Sequence, residues 1–239
     1  MKLSVIIPAY NESLILRDTV QTLSDALDGM QNNGVFDDYE LIFVSDGSSD
    51  DTPALLTEAE TQYPHLKTCI YSPNRGKGYA VRQGVIASSG DIVLYTDCDL
   101  AYGTDVIGQA VRLMQDSGAD VLIGSRAIHP EGYAGYTPLR KLASVLYLRV
   151  LSIAAGFRHS DSQAGFKALR GEIGRKIFSE CEIDRFAFDL EMLMRAQKAG
   201  CTFVEMPIKI INHRESSIHL IRDSVRMLRD IMKIKRALR

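Results

Sequence analysis

The chain has no tryptophan, and its four cysteines, Cys69, Cys98, Cys181 and Cys201, are scattered, with no Cys-x-x-Cys pair and no histidine at metal spacing. That set supports neither a disulfide framework nor a zinc site, and a reducing, cytoplasmic setting fits it. No stretch offers the roughly 18 uninterrupted apolar residues that a spanning helix needs. The nearest, 142–157, is broken by Arg149. The apolar run after Met1 is too short for the core of a signal peptide and reads as a first strand. An excess of one charge is also missing: a net charge of -2 argues against general nucleic-acid binding, so no nucleic acid is expected among the partners. Low-complexity linkers and internal repeats are absent as well. These absences leave a soluble protein, or one lying on a membrane surface without crossing it.

What is present is a hydrophobic content of 46% against 24% charged residues, which suits an ordered globule with a core of ordinary size. Apolar runs of strand length alternate with stretches at helical period. This pattern predicts an α/β fold with a mainly parallel central sheet covered by helices. Strands are expected at 3–7, 40–45, 67–71, 91–96 and 120–124. The first intervening helix keeps Leu16, Val20, Leu23, Leu27 and Met30 at three-to-four spacing, with Asn11 or Ser13 as its cap and Gly34 as its stop. Thr52 and Pro53 read as an N-cap and first helical residue, 76–87 as a helix, and Thr104 as a further cap. Beyond Gly124 the alternation loosens. The Gly-, Pro- and Tyr-rich 129–137 reads as a mobile loop, 138–156 as a basic and very apolar helix, and 165–169 as a short antiparallel strand. A helix at 186–198 precedes a strand-like 202–211, in which Pro207 marks an edge or bend, and a last helix occupies 217–239.

The chemistry gathers at strand ends. The strand at 91–96 delivers Asp97 and Asp99, and in open α/β sheets ligands bind outside the carboxyl ends of the strands. A hard divalent cation carrying substrate phosphates takes one or two carboxylates plus water, so Asp-x-Asp at this place suits a metal, Mg or Mn, holding a diphosphate. Three other exits carry polar, turn-forming sets: Pro8-Ala9-Tyr10-Asn11-Glu12, Asp46 to Thr52, and Asn74-Arg75-Gly76-Lys77-Gly78. Each alone reads as a turn or cap; four on one edge read as a nucleotide site. Tyr10 offers an aromatic face for a base, Asp46 an acceptor for a base or ribose donor, and Arg75 or Lys77 a cation for the diphosphate beside glycines that admit close backbone approach. No dinucleotide fingerprint sits in the first βα turn, which holds no glycine, and no Walker sequence occurs.

These runs, with Gly124-Ser125-Arg126, Asp161-Ser162-Gln163-Ala164-Gly165-Phe166-Lys167 and Phe188-Asp189-Leu190-Glu191, resemble the family 2 glycosyltransferases over about residues 3–220. Within that family they are most similar to the branch that makes dolichyl- or polyprenyl-phosphate sugars, and there to its β-glucosyl-transferring members. The resemblance implies a GT-A type nucleotide-sugar-binding fold. It further implies that Pro8, Tyr10, Glu12 and Asp46 hold the nucleoside, with Asp97 and Asp99 at the ribose, diphosphate and metal. The family's usual Asp-Asp-Gly-Ser is here Ser45-Asp46-Gly47-Ser48. Ala101 stands where mannosyl relatives often carry a metal-binding Gln, and Ser217-Ile218-His219 where relatives read Gly-Ser-Lys, which leaves His219, Arg214 or neither as a diphosphate contact.

On the acceptor side, Arg126 leaves the fifth strand, while Arg140 and Ser144 share a helix face, a set able to clamp a phosphate. The resemblance agrees, since lipid-phosphate mannosyl relatives use an arginine after Gly-Ser and an Arg-x-x-x-Ser on the following helix. Residues 138–157 and the last helix, 216–239, both mix apolar and basic residues in the manner of helices at an anionic lipid surface; for the last helix an oligomer contact is the alternative, giving a possible homo-oligomer. The expected protein is thus a 1–215 GT-A domain followed by a basic amphipathic helix, a metal-dependent inverting glycosyltransferase. It would move a sugar, glucose from UDP-glucose first among them, onto polyprenyl or dolichyl phosphate at the cytoplasmic membrane face. Transfer of mannose from GDP-mannose and a non-catalytic nucleotide-sugar-binding module stay open. A phosphate acceptor has its second pKa near 6, so no dedicated base is required, although Asp161 or Asp189 could serve as one. Asp161 and Gln163 are expected at the sugar hydroxyls.

Overall fold

The computed structural model describes residues 1–137, 148, 151, 153, 156, 159–212 and 220–238, except for the side chains of 220–228. Arg140, Ser144, Arg214 and His219 lie outside the described residues. Among the described residues seven strands form one sheet in the order β3-β2-β1-β4-β6-β5-β7: β1 Lys2–Ala9, β2 Asp38–Asp46, β3 Leu66–Tyr71, β4 Ile92–Tyr95, β5 Val121–Ser125, β6 Lys167–Arg170 and β7 Phe203–Pro207. β6 is antiparallel to both β4 and β5, and the remaining pairings are parallel. The helices are α1 Leu16–Asn32, α2 Thr52–Gln62, α3 Lys77–Ala87, α4 Asp105–Ser117, α5 Gly171–Glu180, α6 Phe188–Lys198 and α7 Leu220–Ala237.

The period of two in β1 sorts the core into two layers. Leu3, Val5 and Ile7 face a layer built with Leu16, Val20, Leu23 and Leu27 of α1, Leu56 of α2 and Val111 of α4. Ile6 faces the other, with Val81 and Val85 of α3, Ile177 of α5 and Leu193 of α6. Because β1→β2→β3 step outward over one face and α3 returns across the other to β4, the sheet reverses its winding between β1 and β4. A crevice opens at such a switch point at the carboxyl ends of the strands. It lies between Pro8-Ala9-Tyr10 and Asp97.

Thr104 is the N-cap of α4 as expected, whereas the expected starts of α1 and α2 need correcting. Neither Asn11 nor Ser13 caps α1, which begins after Ile15 without a side-chain cap. Asn11 instead adopts a left-handed φ of 55° and clips two loops together: its N–H donates to Ser48 Oγ at 3.1 Å and its Oδ1 accepts from Ser49 N at 2.8 Å. Ser13 N donates to Asp50 Oδ2 at 3.0 Å. Thr52 is the first residue of α2 after the N-cap Asp51, and its Oγ1 accepts from Glu12 N at 2.9 Å. Cross-loop partners won over local capping because β1 and β2 end side by side. The loop 129–137 is built from turns. A Cβ on Gly132 would meet the Arg126 carbonyl oxygen at 1.9 Å, Tyr133 and Tyr136 pack edge to face at 5.7 Å, and Lys209 pairs with Glu131 at 2.9 Å.

Candidate active site

The four strand exits meet on one edge. Tyr10, 51% exposed, presents its ring at the end of β1, and Pro8 and Glu12 are half-buried beside it. Asp46 closes β2, but not as an open acceptor. Its Oδ1 accepts from Tyr71 Oη at 2.9 Å and Arg75 N at 2.8 Å, and its Oδ2 from Asn74 Nδ2 at 2.9 Å and Gly76 N at 2.8 Å. A carboxylate has about four lone-pair directions, and protein donors fill them all. Asp46 therefore shapes the β3–α3 turn. Gly76 in that turn has a φ of 112°, and a Cβ there would stand 2.6 Å from the Asp184 carbonyl oxygen. The turn aims two cations differently. The Arg75 guanidinium lies over the Tyr79 ring at 3.7 Å, with Asp184 at 3.6 Å, while Lys77 reaches across the crevice and donates to Asp97 Oδ1.

Asp97 and Asp99 sit just past β4. Burial, reinforced by the charge of Asp97, pushes the Asp99 carboxyl above its ordinary value. Burial alone would lower the Lys77 ammonium, but Asp97, Asp189 and Asp99 outweigh it and keep it protonated. Among the described residues no three His, Cys, Asp or Glu side chains gather as a complete metal cage, and Ala101 brings no donor side chain. Two hard oxygen ligands whose mutual repulsion a cation would relieve do fit a divalent ion that completes its shell with water and substrate phosphates.

Sequence reading missed what positions these acids. A Cβ on Gly165 would fall 2.3 Å from Asp97 Oδ2, so glycine alone lets the 161–167 segment lie against that carboxylate. Gly165 N donates to Tyr102 Oη at 3.2 Å. Lys167 is wholly buried; it pairs with Asp189 at 2.9 Å and donates to the Ala164 carbonyl at 2.6 Å. Tyr95 Oη donates to Asp189 at 2.6 Å. Asp189, on the first turn of α6, meets both the Tyr95 hydroxyl and the Lys167 ammonium at Oδ1. Glu191 accepts from Glu182 N and Ile183 N, the latter at 2.7 Å, and anchors the chain before α6.

A correction also falls on the acceptor side. Asp161 is fully buried, and its oxygens are taken by Arg126 Nε at 2.7 Å, Arg126 Nη2 at 3.0 Å, Arg126 N at 3.1 Å and Gln163 N at 3.1 Å. It holds the arginine and leaves nothing for a sugar hydroxyl. Burial pushes the Asp161 carboxyl up, and the Arg126 charge brings it below the usual range. The bidentate grip leaves Arg126 Nη1 uncommitted to Asp161. Gln163 remains half-buried next to this pair.

A mainly parallel sheet reversing between β1 and β4, with two acids at the end of β4 and loops able to take a nucleotide, defines the GT-A class of glycosyltransferase folds. The chain belongs to glycosyl transferase family 2, which it matches over residues 4–178. It is 32% identical over 238 residues to a dolichyl-phosphate beta-glucosyltransferase of Trichomonas vaginalis, covering 97% of this chain and 72% of that one. It is 29% identical over 243 residues to the dolichyl-phosphate beta-glucosyltransferase of Dictyostelium discoideum, covering 98% and 73%. Glucosyl-3-phosphoglycerate synthase of Mycobacterium tuberculosis, solved with Mn2+, UDP and phosphoglyceric acid, shares the fold. Its TM-score is 0.70 at 18% identity, over 99% of this chain and 78% of that one.

Proposed function

We propose that this glycosyltransferase moves glucose from UDP-glucose to a dolichyl or polyprenyl phosphate, with inversion and with Mg or Mn, at the cytoplasmic face of a membrane. The observation that carries the reaction type is the acidic pair Asp97–Asp99 at the switch point, facing Lys77. The relatives named for dolichyl-phosphate glucosylation support the acceptor, and a fold neighbour solved with UDP and Mn2+ supports donor and metal. When bound, the metal neutralises charge developing on the leaving diphosphate. Pro8, Tyr10 and Glu12 bind the nucleoside in a recess that Asp46 keeps in shape, and Lys77 meets the diphosphate while Arg75 stays on Tyr79 and Asp184. Arg126, fixed by Asp161, directs Nη1 to the acceptor phosphate; Arg140 and Ser144 complete the clamp in this reading. A phosphate oxygen attacks the anomeric carbon in line as the bond to the diphosphate oxygen breaks. The dianionic acceptor has no proton to lose, so the step needs no base, and Asp161 is engaged with Arg126. Residues 1–215 would carry the reaction and the basic α7 the membrane contact.

The test is transfer from radiolabelled UDP-glucose, UDP-GlcNAc and GDP-mannose to polyprenyl phosphate in detergent, with Mg, Mn or EDTA. Label is expected in the lipid phase from UDP-glucose, abolished by EDTA and lowered at least 100-fold by Asp97→Asn. Lipid label from GDP-mannose alone would transfer the reading to mannose. No lipid label from any donor, or an unimpaired Asp97→Asn, overturns the proposal.

A further inference from the structure

Lys77 and a divalent metal have claims on the same carboxylate. The ammonium donates directly to Asp97 Oδ1, with its side chain 25% exposed and that of Asp97 31%. The other nearby acids are arranged differently. Asp189 has its own cation, Lys167, at 2.9 Å, and Asp99 Oδ1 accepts from the uncharged Ala101 N at 3.1 Å. Among the described residues, Lys77 is the cation that balances the Asp97–Asp99 pair when no nucleotide is bound. A dication entering that pair would stand against the ammonium, and like charges at contact distance in a half-buried site repel strongly. Lys77 can leave only by swinging its flexible stem about the first residue of α3. At that place another anion must meet it, and a ligand diphosphate at the N-terminus of a helix is such an anion.

We propose that Lys77 is a built-in competitor for the metal site that keeps Asp97–Asp99 closed to divalent ions until a nucleoside diphosphate draws it away, so that it couples metal and nucleotide binding. The inference rests on Asp97 and Asp99 being the metal ligands. Coupling of this kind is reciprocal: whatever factor the nucleotide adds to metal affinity, the metal adds to nucleotide affinity.

Mn2+ binding to the full chain, counted by electron paramagnetic resonance of the free ion, tests this without turnover. With no nucleotide present, Lys77→Met should bind Mn2+ at least tenfold more tightly than the unaltered protein, whereas Lys77→Arg, which retains the cation, should bind it as weakly. Adding Asp97→Asn to Lys77→Met should abolish the gain. Lys77→Gln serves the same purpose if the methionine variant does not fold by circular dichroism. In the unaltered protein, saturating UDP should tighten Mn2+ binding at least tenfold, and in Lys77→Met by much less. Nucleotide-free Mn2+ binding by Lys77→Met no tighter than by the unaltered protein overturns the coupling. If that protein still takes up Mn2+ with UDP, the metal reading stands; if neither UDP nor Lys77→Met brings Mn2+ to the chain, the metal reading falls with it.

Discussion

At the scale of the residue, the site depends on close approach as much as on functional groups. Gly165 is the sharpest case, because its missing side chain is what admits the Asp97 carboxylate. Gly165→Ala should push that carboxylate aside by an ångström or more, and misplacement of that size costs about 100-fold in turnover. The fall is expected in kcat with little change in the melting temperature, since the displaced atoms end a side chain. Gly29, inside α1 with open space where a Cβ would stand, is the opposite case: Gly29→Ala should leave activity intact and stabilise by about 1 kcal/mol through helix propensity, read by urea denaturation. Asp97 and Asp99 were legible in the sequence because two acids at the end of an apolar strand are a local pattern. Asp46 and Asp161 were legible as polar sites but not as closed ones. Their partners lie elsewhere in the chain, Tyr71 at the end of β3, Gly76 in the turn after it and Arg126 just past β5, and no local pattern says that four donors will converge on one carboxylate.

At the scale of the element, strands were read more accurately than helix starts, for a physical reason. Period-two burial is written into β1 and β2 themselves, whereas the N-terminus of α1 took its form from contacts with the β2–α2 loop. The opposite end of the sheet shows how one residue ties elements together. Glu40 of β2 is buried, accepts from Ser4 of β1 at 2.6 Å, from Lys67 of β3 at 2.7 Å and from Ser89 N before β4 at 2.6 Å. Burial alone would raise its carboxyl, but these donors outweigh it and hold the folded-state value at about 2, against an ordinary 4.5. A depressed carboxyl contributes stability in full above the unfolded value, and that contribution is lost as pH falls through the folded one. Glu40→Gln should therefore cost on the order of 2 kcal/mol at pH 7, with the deficit shrinking below about pH 4.5 and nearly gone near pH 2. Urea midpoints of both proteins across that range measure it; a deficit independent of pH would mean that the lost interaction is not ionic.

At the scale of the molecule, the sheet order was not legible. The residues of β6 announce a short antiparallel strand, as found, but its place between β4 and β5 follows from tertiary pairing that periodicity does not encode. The last helix is a similar case. Its composition reads as an interfacial helix with one apolar face, yet Ile231 and Ile234 are buried with α6 in the core layer that Ile6 faces, in company with Leu151. Part of the apolar face is thus used to fix the helix to its own protein, while Arg229, Lys233, Lys235 and Arg236 remain exposed, with Met232 among them. This division lets the membrane contact be tested apart from folding. Each basic residue near an anionic surface contributes on the order of 1 kcal/mol, so changing all four to Gln should weaken binding to phosphatidylserine-containing vesicles at least 100-fold. The remaining binding should lose most of its salt dependence, because screening acts on the charges removed. The melting temperature should hold, since Ile231 and Ile234 are untouched. Sedimentation of the protein with vesicles at low and high salt reads the first two effects. Unchanged vesicle binding, combined with a shift in oligomeric state by light scattering, would assign the basic face to contact between copies of the chain instead.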